Sequence, residues 1–238
     1  MICKKEWQQF FSSLTGYLAL VVFLLLNGLF LFVFPDSNLL DFGYASLSGF
    51  FNLAPWLLLF LIPTITMRSF ADEYKSGSFE ILKTLPLNPS SIVIGKYLGA
   101  LSIVLTALLP SVIYAFSIQS LSVTGGIDFG GTIGSYIGLC FLAAVFTAIG
   151  ISASSFTNNT VVAFISGAFV CFLLYTGFAA FSKLPLFLAG LDYYIELLGI
   201  QYHYRSISRG VIDSRDLIYF IGLIIVFLFI TTKNLLNR

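Results

Sequence analysis

Charge is scarce in these 238 residues: Asp, Glu, Lys and Arg together make up 10% of the chain, and the formal net charge is +1. Soluble domains carry about 25% charged residues, so this sequence has too few to cover a water-facing surface. The near-neutral balance also excludes the basic stripe that nucleic-acid binding requires. Histidine occurs once, as His203, and the cysteines Cys3, Cys140 and Cys171 are odd in number and far apart. They supply neither a disulfide framework nor a CxxC metal site. His203 has no second His or Cys beside it and is no zinc site. Cys140 and Cys171 read as small packing residues inside apolar runs.

Catalytic constellations are also missing. No G-x-x-x-x-G-K-[ST] phosphate loop exists, because Gly95-Lys96 is followed by Tyr97 and lacks the upstream glycine. Glu73 and Glu80 share one segment but have no His or metal ligand beside them. The chain is therefore expected to be no enzyme and to bind no cofactor or metal of its own. A cleavable leader is not expected either. Lys4 and Lys5 precede an apolar run, but residues 18–34 exceed the usual core of about 7–15 residues and lack a small-residue cleavage site.

What the sequence has in abundance is hydrophobic residues, 58% of the total, gathered into long blocks. A bilayer core takes roughly 20 apolar residues per helix. Residues 17–34, 50–67, 97–118, 132–156, 160–181 and 217–232 meet or approach that length, which predicts an all-α membrane protein with six spans. None of these cores contains Asp, Glu, Lys, Arg or His. A charge at mid-membrane costs about 2.5–3.5 kcal/mol and is kept for function, so a carboxylate-driven pump is disfavoured. An ion-coupled secondary transporter using carbonyls and hydroxyls, and a non-transporting membrane scaffold, stay open as alternatives.

Lys4, Lys5, Arg68, Lys75, Lys83, Lys96, Lys233 and Arg238 fall on one side of the predicted spans; Lys183, Arg205, Arg209 and Arg215 fall on the other. The positive-inside rule places both termini in the cytoplasm. Within the spans, Pro55 and Pro63 in the second and Pro110 in the third each remove a backbone hydrogen bond and predict hinges. Gly130, Gly134 and Gly138 continue a four-residue repeat from Gly126, and Gly95 with Gly99 shows the same spacing. This pattern lets helices approach closely, either within the chain or between subunits.

Three segments lie outside the spans. In residues 1–16, Trp7, Phe10, Phe11 and Leu14 recur at helical spacing, forming one apolar face suited to the inner membrane interface. In residues 68–96, the second span is expected to run on past Phe70 and Tyr74 to about Lys75, where Gly77 breaks it. A short helix follows, N-capped by Ser78 with Glu80 in its first turn and ended by Pro86, presenting Phe79, Ile81, Leu82 and Leu85. Asn88 and Pro89 then suit the N-cap and first position of the third span. The result is a cytoplasmic knob suited to a partner's groove, or to the lipid surface. In residues 183–216, the apolar run 184–191 is too short to cross, and a salt-bridged cap of Arg205, Arg209 and Arg215 with Asp192, Glu196, Asp213 and Asp216 is expected.

The run from Glu73 through Gly77, Ser78, Glu80, Leu82 and Pro86, followed by Gly95-Lys96, resembles the ABC-2 type exporter permease signature E-x-x-x-G-[ST]-x-E-x-L-x-x-x-P with G-K at the next span. Residues 192–216 are further similar to the gliding-motility-associated permeases. The resemblance covers essentially the whole chain as one transmembrane domain, 1–238. It implies an N-terminal elbow helix, a cytoplasmic coupling helix and a re-entrant pair of short helices within 183–198. It also implies a bacterial inner-membrane location, a second permease copy or homologous membrane subunit, and a separate ABC ATPase carrying ATP and Mg. Phe79, Ile81 and Leu82 would then dock that ATPase, with Glu73 and Glu80 making polar contacts to it or to the elbow.

Overall fold

The computed structural model describes residues 2–34, 46–80, 88–122, 126–183, 191–211 and 213–237, and these contain helices and turns with no strand. Helix α1 (Ile2–Phe11) is followed by α2 (Leu14–Phe32), α3 (Ser48–Thr66) and α4 (Arg68–Lys75). Next come α5 (Pro89–Leu108), a 3-10 turn at Leu109–Ser111, α6 (Val112–Leu121) and α7 (Phe129–Phe156). Helix α8 (Thr160–Phe172) passes through a π turn at Leu173–Gly177 into α9 (Phe178–Ser182). Two short helices, α10 (Leu191–Leu197) and α11 (Ile200–Ser208), precede the final α12 (Ser214–Asn237).

Five stretches are long and apolar enough to cross a membrane: Ser48–Lys75, Pro89–Leu121, Phe129–Phe156, Thr160–Ser182 and Ser214–Asn237. Counting the bent pair of α1 and α2 as one span brings the candidates to six. The 19 residues of α2 carry no charge and rise about 28 Å, close to the thickness of a hydrocarbon core. It meets α1 at a bend of 72°. Local chemistry sets the starts of these helices. The Ser13 hydroxyl accepts from the Gly16 N–H, the Asp128 carboxylate from Gly131 and the Asn159 amide oxygen from Val161, each relieving an orphan donor of a first turn. Pro89 opens α5, where its missing N–H costs nothing.

Helix α7 is the axis of the bundle, buried along most of its length and packed against α3, α4, α5, α8, α11 and α12. Its small residues let neighbours in. A methyl added at Gly150 would collide with Thr66 Oγ1 on α3, and one at Gly134 would lie 2.7 Å from Gly210 Cα beyond α11. Gly138 sits against the Tyr204 ring, and the backbone of Gly130 against Gly210. Gly95 and Gly99 on α5 face Ile2, Cys3 and Glu6 of α1. The glycine spacing thus serves packing within the chain. At one end of α7, Ser154 Oγ accepts from the backbone N–H groups of Phe70 and Ala71 (3.1 and 3.2 Å) and donates to the Met67 carbonyl (3.0 Å). It thereby fixes the joint between α3 and α4.

The prolines behave differently from one another. Pro110 ends the α-helical pattern of its span at the 3-10 turn, whereas Pro55 and Pro63 lie buried inside an unbroken α3. Pro55 has no N–H for the carbonyl of Phe51, four residues earlier. The buried Tyr204 hydroxyl donates to that carbonyl at 2.8 Å. The proline therefore creates an acceptor that anchors α11 to the start of α3. Replacing Tyr204 with Phe should cost about 1–3 kcal/mol of stability in micelles, the penalty for an unsatisfied buried carbonyl. Adding Pro55→Ala should recover most of that loss by restoring an N–H to Phe51. Equilibrium unfolding of the four variants in a double-mutant cycle measures the coupling.

Candidate coupling site at the elbow and the third span

The second span continues through Met67 into α4 and ends at Lys75, where Ser76 donates its N–H to the Asp72 carbonyl. Gly77 follows with φ of +70°, the left-handed geometry that ends a helix and favours glycine. The backbone is helical again at residues 78–80. The Ser78 hydroxyl points back toward α4, 2.8 Å from the Ser76 hydroxyl and 3.5 Å from the Glu73 carbonyl. Phe79 turns inward: it is buried, with its ring 4.8 Å from Tyr74 and 6.4 Å from Phe70. Phe79 is thus not presented outward as the sequence led one to expect, because α4 offers it an aromatic pocket within the same chain. Glu80 is exposed. Ile81, Leu82, Leu85 and Pro86 lie outside the described residues.

Helix α1 lies along α5, where Gly95 and Gly99 let it come close. Trp7, Phe10 and Phe11 are half-buried on that side, and the Trp7 indole N–H donates to the Ser102 hydroxyl. Leu14 departs from the expected stripe. The Ser13 cap starts a new helix there, and Leu14 is 82% exposed at the head of α2.

Between α1, α4 and α5 lies a set of charges. Lys96 is only 2% exposed, and its ammonium is 2.8 Å from Glu6 Oε1, 3.0 Å from Glu73 Oε1 and 2.6 Å from the Ser69 carbonyl. Three oxygens thus surround a group with three hydrogens to give. The Phe70 ring lies 5.0 Å from the same ammonium. Lys5, 59% exposed, reaches Glu73 Oε1 at 3.2 Å from the solvent side. Two lysines and two glutamates leave the cluster formally neutral, as a buried charge must be to persist. A cavity of about 110 Å³ opens beside it, lined among others by Glu6, Gln9, Arg68, Ser69 and Glu73.

The two ends of the sequence signature, Glu73 and Lys96, therefore meet in space, and Glu73 also contacts the elbow through Lys5. The apolar stretch of the third span is read as beginning at Tyr97, with its helix opening earlier at Pro89; the structure has that helix and, unexpectedly for a residue outside the apolar stretch, buries Lys96. Glu6 was not singled out at all. The signal that could have found it is its position on the elbow face that Gly99 admits.

At the opposite end of the bundle, among the described residues, the 183–216 segment holds a contact of His203 Nδ1 with Asp216 Oδ1 at 2.6 Å, and no arginine pair forms the expected cap. The described residues also contain no group of His, Cys, Asp and Glu that could hold a metal.

Removing Lys96 leaves two partly buried carboxylates facing each other. Lys96→Met should therefore destabilise the protein by about 3–5 kcal/mol and release the elbow, seen as a red shift of Trp7 emission. Lys5→Ala, at the exposed edge, should cost no more than about 1 kcal/mol. Chemical unfolding of both variants in micelles separates the two roles.

Residues 1–236 match the family model described as ABC-2 family transporter protein. No curated protein matches the chain. With a match across nearly its whole length and a nearly all-helical fold of five to six candidate spans, the chain belongs to the ABC-2 transporter family and is a membrane transport component.

Proposed function

We propose that this chain is the permease subunit of an ATP-binding cassette exporter, driven by a separate ATPase that binds ATP and Mg. The observation that carries this reading is the neutral charge cluster around Lys96. It joins the elbow, the end of the second span and the third span into one unit, with Glu73 four residues before the Gly77 break. A push on residues 78–86 from below is delivered to α4 and from there, through Glu73 and Lys96, to α1 and α5. The partner ATPase docks on that segment. Glu80 supplies a polar contact, and Ile81, Leu82 and Leu85 supply apolar ones, a role they take from the sequence signature. Apolar contacts contribute more here, since an exposed ion pair is worth about 0–1 kcal/mol.

A second copy, or a homologous membrane subunit, completes the translocation path, and the inner membrane of a bacterium holds the assembly with both termini in the cytoplasm. The lysines and arginines of residues 4–5, 68–96 and 233–238 support that orientation. The similarity of residues 192–216 to gliding-motility permeases supports a role for the exporter in gliding. Buried charges do occur near the span ends, but Lys96 is saturated by its partners, which suits a structural lock better than an ion-carrying site.

Reconstitution in liposomes with the candidate ATPase should stimulate ATP hydrolysis over the ATPase alone. No stimulation would reduce the chain to a scaffold, and transport that persists without ATP but stops with an uncoupler would make it ion-driven. Gly77→Val forces a branched residue into left-handed backbone and re-aims the segment below it. It should abolish the stimulation while span insertion continues. Glu80→Lys should weaken ATPase co-purification only severalfold.

A further inference from the structure

His203 and Asp216 lie where α11 passes α12, at the end of the bundle away from the elbow. Tyr204 anchors α11 near Phe51, whereas the Lys96 cluster sits near Ser69, roughly 27 Å further along the α3–α4 rod by helical rise. Both side chains of the pair are 5% exposed. His203 Nε2 stands 2.9 Å from the Leu197 carbonyl, and Nδ1 stands 2.6 Å from Asp216 Oδ1. The ring stacks on Tyr219 with centroids 3.9 Å apart. One imidazole thus connects α10, α11 and α12.

The partners determine how many protons the pair holds. A carbonyl oxygen only accepts, so Nε2 carries a hydrogen. A bare Nδ1 would then point its lone pair at an ionised carboxylate 2.6 Å away, which is repulsive. A proton must lie between them, either on the ring, giving an imidazolium and a carboxylate, or on the carboxyl, giving two neutral groups. Both arrangements are neutral overall. Loss of that proton leaves a net negative charge in a buried site, where Asp216 Oδ2 already has no hydrogen-bond partner.

The ionisable surroundings do not replace the missing charge. From α10 come Tyr193 and Glu196, which act on Tyr202 beside the ring; from α11 come Tyr202 and Tyr204; from α12 come Tyr219 and, next in sequence to Asp216, Arg215. The Tyr202 phenol is held above its ordinary range by its hydrogen bond with Tyr193, and burial raises that of Tyr204 well above the ordinary range, so both stay neutral. Arg215 makes no ion pair with Asp216.

We propose that His203 and Asp216 form a proton-held clasp that fastens the short helices α10 and α11 to α12 and opens when the pair loses its shared proton. In the orientation proposed above, the clasp faces the outside and responds to external pH; its chemistry does not depend on that orientation. The sign follows from proton counting. The closed clasp requires the proton between Nδ1 and Oδ1 and the open one does not, so the stability it confers falls as pH rises.

The test is hydrogen-exchange protection of the α11 amides in the full chain in nanodiscs, corrected for intrinsic exchange, across a series of pH values. For one linked proton the opening constant rises by up to tenfold per pH unit within the release range. Asp216→Asn offers an amide N–H to a bare Nδ1 and closes the clasp without an extra proton. Its opening constant should be flat over the same range. Since His203 is the single histidine, nitrogen NMR of labelled imidazole reads the ring directly. Wild-type opening that is independent of pH, or that changes in parallel with Asp216→Asn, overturns the proposal. So does a ring with bare Nδ1 beside an ionised Asp216.

Discussion

A lysine ammonium has no place in the interior of a membrane bundle unless its charge is cancelled and its hydrogens are used, and the organisation of this protein's elbow end follows from meeting that condition at Lys96. Two carboxylates and a carbonyl are needed within 3.0 Å, and no single helix can provide them all. Glu6 comes from α1, Glu73 and the Ser69 carbonyl from α4. The elbow therefore has to lie flat on α5, and Gly95 and Gly99 are what allow it to. Lys5 then supplies the second positive charge that brings the cluster to neutrality. Hydrophobic burial cannot give this arrangement, because lipid competes equally for any apolar face, whereas the ammonium has no other partner as good.

Much of the bundle was legible in the sequence because membrane helices are written in runs of a single character. The stretches 50–67, 132–156 and 160–181 correspond closely to α3, α7 and α8 with its continuation. The third span fits less simply, since Pro110 divides it at a 3-10 turn. What escaped was the charge at span ends. Lys96 and Asp216 each lie one residue outside the expected cores, because hydropathy counts a charge and cannot see its counter-charge. Both are inside helices and buried once their partners arrive.

The candidate site shows the same boundary between local and non-local information. Gly77 was readable because left-handed backbone is a local demand, and the apolar stripe at Trp7, Phe10 and Phe11 because helical period is local. Leu14 broke from that stripe when Ser13 capped a fresh helix. Phe79 reads in sequence as an outward apolar residue; only the fold reveals that Phe70 and Tyr74 wait for it across the Gly77 break. The pairing of Tyr204 with the Phe51 carbonyl spans 153 residues, and nothing local announces it except the proline that vacates the acceptor.

Ser154 carries a mechanical consequence. Its oxygen receives two backbone hydrogens from the first turn of α4 and returns its own to the end of α3, so the hydroxyl is saturated. Translating the rod past α7 by even one residue would break all three bonds at once. The hydroxyl therefore acts as a register pin that holds the second span against the central helix at this joint.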